Sequence, residues 1–115
     1  MSKPIYDLTY LKEVTDNDAD AIKELAEMFV DETPGIVENI RQSIAGENYA
    51  EFTCLAHKLK STLRVFGLTS LSERYAQIEL HSKTEGEREM AIELFFNTIT
   101  DIEEAVETIK TDFGF

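Results

Sequence analysis

The sequence predicts an all-α fold, an antiparallel four-helix bundle with a short extra helix at the N-terminus. Apolar residues recur at alternating three- and four-residue steps, which puts them on one face of each helix. The two prolines and five glycines fall where helices start or stop. No Asn-Gly or Asp-Gly hairpin signal occurs, and no strand-like alternation is sustained.

A short first helix follows Asp7 and ends near Val14. A second starts after the aspartate-rich stretch 16–20 and carries Ile22, Leu25 and Phe29 on one face. Thr33-Pro34 reads as an N-cap followed by proline at the first helical position, so the chain is expected to break there. The next helix carries Ile36, Val37, Ile40 and Ile44, and Gly46 closes it. Asn48, with Glu51 three residues on, resembles a capping box. It opens a helix with Phe52, Ala56, Leu59, Leu63 and Phe66 on one face, which Gly67 is placed to end. Leu71, Tyr75 and Ile78 mark the following helix. After Gly86 comes what reads as the longest helix, with a seam of Ile92, Phe95, Ile99, Ile102, Val106, Ile109 and Phe113. Seams of this kind pack helices at shallow crossing angles, as in four-helix bundles.

The length of 115 residues fits a single domain, residues 1–115, and the 43% of apolar residues suffices for its core. No stretch approaches the roughly 18 unbroken apolar residues of a membrane span. The N-terminal residues lack the apolar segment of a signal peptide, and Cys54, alone, cannot form an internal disulfide. A cytoplasmic, monomeric protein with no membrane association is expected, and the Met1-Ser2 start favours a free-standing chain. A net charge of −12 would repel phosphate backbones, so nucleic acid is not expected as a partner.

Acidic residues make up 23 of the 115, yet none occurs from Phe52 to Ser72. That segment holds Lys58, Lys60 and Arg64, and His57 sits at its centre. At 100° per residue, His57 lies about 140° from the apolar seam of its helix, Arg64 about 120° and Ser61 about 180°, with Lys60 on the flank at about 80°. These residues form one exposed patch. A lone exposed histidine on a helix is usually inert. Here exposure, flanking cations and an acid-free surround coincide. An imidazole with the reference pKa of roughly 6.5 is largely neutral at pH 7 and nucleophilic. Phosphoryl transfer asks a protein chiefly for positioning and charge stabilisation, which nearby cations supply.

Ala56-His57-Lys58-Leu59-Lys60-Ser61-Thr62, followed by Phe66-Gly67-Leu68 and Leu71-Ser72, resembles the signature of histidine-phosphotransfer (HPt) domains. The resemblance extends to the aspartate-rich start of the second helix and the Thr-Pro pair. It implies a phosphorelay protein that accepts a phosphoryl group on His57 from a sensor kinase or a receiver-domain aspartate and passes it to a response-regulator receiver aspartate. The implied partners are a response-regulator receiver domain and a hybrid sensor histidine kinase. Lys60 would be the neighbouring cation and Ser61 the position kept small. Glu79 would occupy the place, one helix on, from which a polar side chain steadies the imidazole, although a solvated surface glutamate is an equal reading. Leu8 and Leu11 of the first helix would border the site. An interaction module that binds receivers or kinases without being phosphorylated is the alternative. The presence of both His57 and Lys60 argues against it.

Other residues carry less. Gly67 reads as a helix cap close to the docking surface, and His81 as ordinary surface. Cys54 and His57 form a Cys-x-x-His pair, but a zinc site needs more ligands than the sequence offers, so no metal is expected. With no Glu-x-x-His pair, Gly-rich phosphate loop or kinase signature, neither a cofactor nor ATP chemistry is expected.

Overall fold

The structure, a computed structural model, describes residues 6–115 and contains five helices: α1 (Thr9–Val14), α2 (Ala19–Ala45), α3 (Tyr49–Val65), α4 (Thr69–Ser82) and α5 (Arg88–Phe113). Helices α2 to α5 close into a ring in which each packs on its neighbours in chain order and α5 packs back on α2. The expected all-α bundle with a short N-terminal helix is the architecture found.

Local chemistry fixes several helix ends. Asp18 caps α2, its carboxylate accepting from the amides of Asp20 and Ala21 at 3.0 and 3.2 Å. Asn48 caps α3 through the Glu51 amide at 3.2 Å. At the far end of α3 the chain reverses through Gly67, whose φ of +66° is the left-handed conformation of a helix stop. A Cβ there would lie 2.5 to 2.7 Å from three atoms of Asp7, so glycine is needed for space as well as for conformation. The approach is close because the Asp7 amide donates to the Phe66 carbonyl at 2.9 Å. Asp7 then starts α1, accepting from the Thr9 amide and hydroxyl at 2.8 and 2.6 Å. Tyr6 donates to Asp112 near the end of α5 at 2.7 Å. A six-residue helix is marginal alone. These anchors and the buried Leu11 hold α1 on the bundle.

Three expectations are corrected. The chain does not break at Thr33-Pro34; α2 runs unbroken for 27 residues with Pro34 inside it, and it rather than α5 is the longest helix. An interior proline costs roughly 3 kcal/mol. The buried stripe Ile22, Ala26, Phe29, Thr33, Ile36, Ile40 and Ser43 spans the proline without a change of phase. A break would swing one half off the core, where each large aliphatic or aromatic side chain is worth about 1.5–3 kcal/mol. Several such residues outweigh one proline.

On α5 the buried seam is Ala91, Phe95, Thr98, Ile102, Ala105 and Ile109. Ile92, Ile99, Val106 and Phe113 are only half-buried and flank it. The small residues Ala91, Thr98 and Ala105 face the core, and at Thr98 α4 comes close enough for the buried Tyr75 hydroxyl to lie 2.9 Å from the Thr98 hydroxyl.

Candidate functional site

The side of α3 that faces the α4 edge carries the site. Ala56, Leu59 and Leu63 are fully buried and fix the rotation of the helix, which leaves His57 pointing out with its side chain 60% exposed. Two polar contacts fix α4 against α3. Thr53 and Ser82 share a hydroxyl–hydroxyl bond of 2.8 Å, and the Ser72 hydroxyl donates to the Lys60 carbonyl at 3.2 Å. Partners high on one helix and low on the other confirm the antiparallel pairing. Between them Glu79 reaches across from α4. Its carboxylate lies 3.1 and 3.2 Å from His57 Nδ1 and 2.7 Å from Lys60 Nζ.

Partial burial pushes the Glu79 carboxyl up, but the hydrogen bonds and charges of Lys60 and His57 outweigh it and hold the group below its ordinary value. Glu79 is therefore ionised at neutral pH. An ionised carboxylate only accepts hydrogen bonds, so the short contact makes His57 Nδ1 the donor. In the neutral ring the lone pair then sits on Nε2.

Ser61 stands exposed one turn on, donating to the His57 carbonyl at 3.2 Å, and adds little bulk beside the ring. Lys58 and Arg64 are exposed on the same helix, and no ion pair involves them among the described residues. Among the described residues no group of metal-ligating side chains is close enough to hold an ion. No helix there is long and apolar enough to cross a membrane.

Residues 24–112 match the family model for the Hpt domain. The chain belongs to the Hpt domain family. Proteins of this family serve phosphotransfer in two-component signalling, acting with receiver and kinase domains as phosphocarriers rather than catalysts. No curated protein and no solved structure matches the chain significantly. The Hpt match takes in most of α2 and all of α3 and α4, with His57, Lys60 and Glu79. It leaves α1 outside.

Four expectations about this Hpt site change. Lys60 is not part of the open patch: its side chain is 17% exposed and its ammonium is held by Glu79. The flank position on α3 becomes an interior one once α4 packs there. The acid-free stretch is acid-free only along the chain, since Glu79 from α4 is in contact with His57. Leu11 cannot border a docking surface, because it is 1% exposed and part of the core; Leu8 is half-buried, and Tyr10 and Val14 are the exposed apolar residues of α1. His81 is not loose surface, for its Nδ1 meets a Glu87 carboxylate oxygen at 2.5 Å and ties the end of α4 to the start of α5.

Thr53 and Ser82, and the part Ser72 plays in holding α4 on α3, are not foreseen from the sequence. They set the position of α4 relative to His57. Ser72 and Glu79 are seven residues apart and so lie on one stripe of α4, beside Tyr75. Polar residues recurring at that interval next to an apolar seam are the signal that would have found them.

Proposed function

We propose that residues 1–115 act as a single monomeric phosphorelay domain in which His57 Nε2 takes a phosphoryl group from a sensor kinase or a receiver aspartate and passes it to a receiver aspartate. The observation that carries this reading is the exposed imidazole whose Nδ1 is engaged by Glu79, which leaves Nε2 as the nitrogen with a lone pair to react.

In the transfer, the Nε2 lone pair attacks the phosphorus of an aspartyl phosphate. The N–P bond forms as the P–O bond to the aspartate breaks, and the carboxylate leaves with the electron pair. The ring keeps its proton on Nδ1 and becomes cationic. The Glu79 carboxylate stabilises that charge and holds the ring in line with the incoming phosphorus. For onward transfer a receiver carboxylate attacks phosphorus, the N–P bond breaks and the pair returns to Nε2. Lys58 and Arg64 offer the exposed positive charge around the phosphoryl oxygens, while Lys60 keeps Glu79 ionised and aimed.

Incubation with a phosphorylated receiver should place an acid-labile, base-stable phosphate on the wild-type protein and none on His57→Gln. Label on the His57→Gln protein would move the site elsewhere, and a wild type that stays unlabelled with several receivers would defeat the relay reading.

A further inference from the structure

On the far side of the bundle α2 and α5 leave an open groove of about 350 Å³. Its floor is apolar: Pro34 and Val37 from α2 meet Ile99, Ile102 and Val106 from α5. Ile99 and Val106 belong to the half-buried stripe that flanks the α5 core seam, so this helix carries more apolar surface than its own bundle covers. Pro34 contributes a compact ring to the α2 wall of the groove.

The rim is acidic. Glu38, Glu103 and Glu107 border the floor. Arg41 lies beside Glu38 at a loose 3.9 Å. Glu103 and Glu107 are exposed and join no ion pair among the described residues. They stand four apart on one helix face, where like charges oppose each other. Arg41 is the one cation among the groove's lining residues, against three carboxylates, so a cation brought by a partner would relieve the repulsion.

We propose that the α2/α5 groove docks an amphipathic helical segment of a partner protein, one that sets aliphatic side chains into the floor and lysines or arginines against Glu103 and Glu107. Ile99 and Val106 are seven residues apart, about 10.5 Å along the axis, which suits anchors repeating at i, i+3 or i+4, and i+7. A second copy of this chain is the wrong occupant, because it would bring three rim carboxylates and a net charge of −12 against the same charges. In the ring α2-α3-α4-α5 the α2/α5 edge lies opposite the α3/α4 edge that bears His57. A partner held in the groove therefore leaves the phosphorylation site open, so the domain can be tethered while it exchanges with receivers.

The test uses the full chain and synthetic helical peptides of about 18 residues, long enough to hold a helix. One has leucines along one face and flanking lysines, a second has glutamate for every lysine, and a third has serine for every leucine. Affinity is read by fluorescence anisotropy and location by amide shifts. The leucine–lysine peptide should bind and shift Val37, Arg41, Ile99 and Val106 but not His57, and the other two peptides should not bind. Glu103→Lys with Glu107→Lys should weaken binding at least about ten-fold, whereas the equal charge change Glu32→Lys with Glu73→Lys, elsewhere on the exposed surface, should cost less than about three-fold. The proposal is overturned if no peptide binds, if both double variants lose affinity equally, if the serine peptide binds as well, or if the shifts fall around His57. Sedimentation showing two copies joined through the groove would also overturn it.

Discussion

Replacing Gly67 with alanine combines two separable costs. The first is conformational: at φ +66° an L-residue with a Cβ is disfavoured by about 1–2 kcal/mol. The second is steric. The new methyl would stand 2.5 to 2.7 Å from the Asp7 carbonyl oxygen, Cβ and amide nitrogen. These atoms belong to a backbone pinned by the 2.9 Å bond to Phe66 and by the cap of α1, so no side-chain rotation relieves the overlap. An ordinary contact of 3.4 Å requires the lead-in to α1 to move by close to 1 Å, and overpacking of this kind costs about 1–3 kcal/mol. The total is about 2–5 kcal/mol, a large part of the roughly 5–15 kcal/mol that stabilises a domain. Gly86→Ala is the internal control, since Gly86 also has a positive φ, of +91°, but a Cβ there meets nothing within 4 Å. It should cost only the conformational part, about 1–2 kcal/mol. Urea denaturation followed by circular dichroism measures both. If the two variants lose stability to within about 0.5 kcal/mol of each other, the packing of Asp7 against Gly67 described above is wrong.

Glu79→Ala should slow phosphoryl transfer by about 10–100-fold, the scale seen when the carboxylate that orients a metal-bound imidazole is removed, and Glu79→Gln should recover part of it by still accepting from Nδ1. Because the folded Glu79 carboxyl lies below its ordinary value of 4.5, its contribution to stability is present above that pH and fades as pH falls through the folded value. Acid melts of Glu79→Gln should lack that fade. Lys60→Ala should keep native helicity, cost about 1–3 kcal/mol from the lost, largely shielded pair with Glu79, and slow transfer; a collapse of helicity would mean the residue is structural and its effect on rate uninformative. Ser61→Glu and Arg64→Glu should weaken receiver binding far more than Lys110→Glu on α5, and equal losses in all three titrations would show that net charge rather than the His57 face governs association.

The face of α3 was legible because its phase depends on that helix alone: Phe52, Ala56, Leu59 and Leu63 repeat regularly, and each is 0% exposed. The exposure of His57 follows from the same arithmetic. At Pro34 the sequence misleads because the local breaking signal is strong, while the apolar stripe that overrides it becomes visible only when Phe29 and Ile36 are seen on one surface. Lys60 and Glu79 show a different limit. One residue lay on a flank and the other on the next helix, and only the packing of α4 decided that they meet at 2.7 Å. On α5 the large aliphatics outshone the alanines and threonine that face the core, since hydrophobicity marks what a helix can bury and close packing decides what it does bury.

The central claim is that His57 carries the phosphoryl group on Nε2 while Glu79 holds Nδ1–H. Phosphorus–nitrogen coupling in the NMR spectrum of the phosphorylated, ¹⁵N-labelled protein reports the bonded nitrogen directly. Coupling of phosphorus to His57 Nε2, with the proton retained on Nδ1, is the predicted result. Phosphorus bonded to Nδ1, or to any residue other than His57, would contradict it.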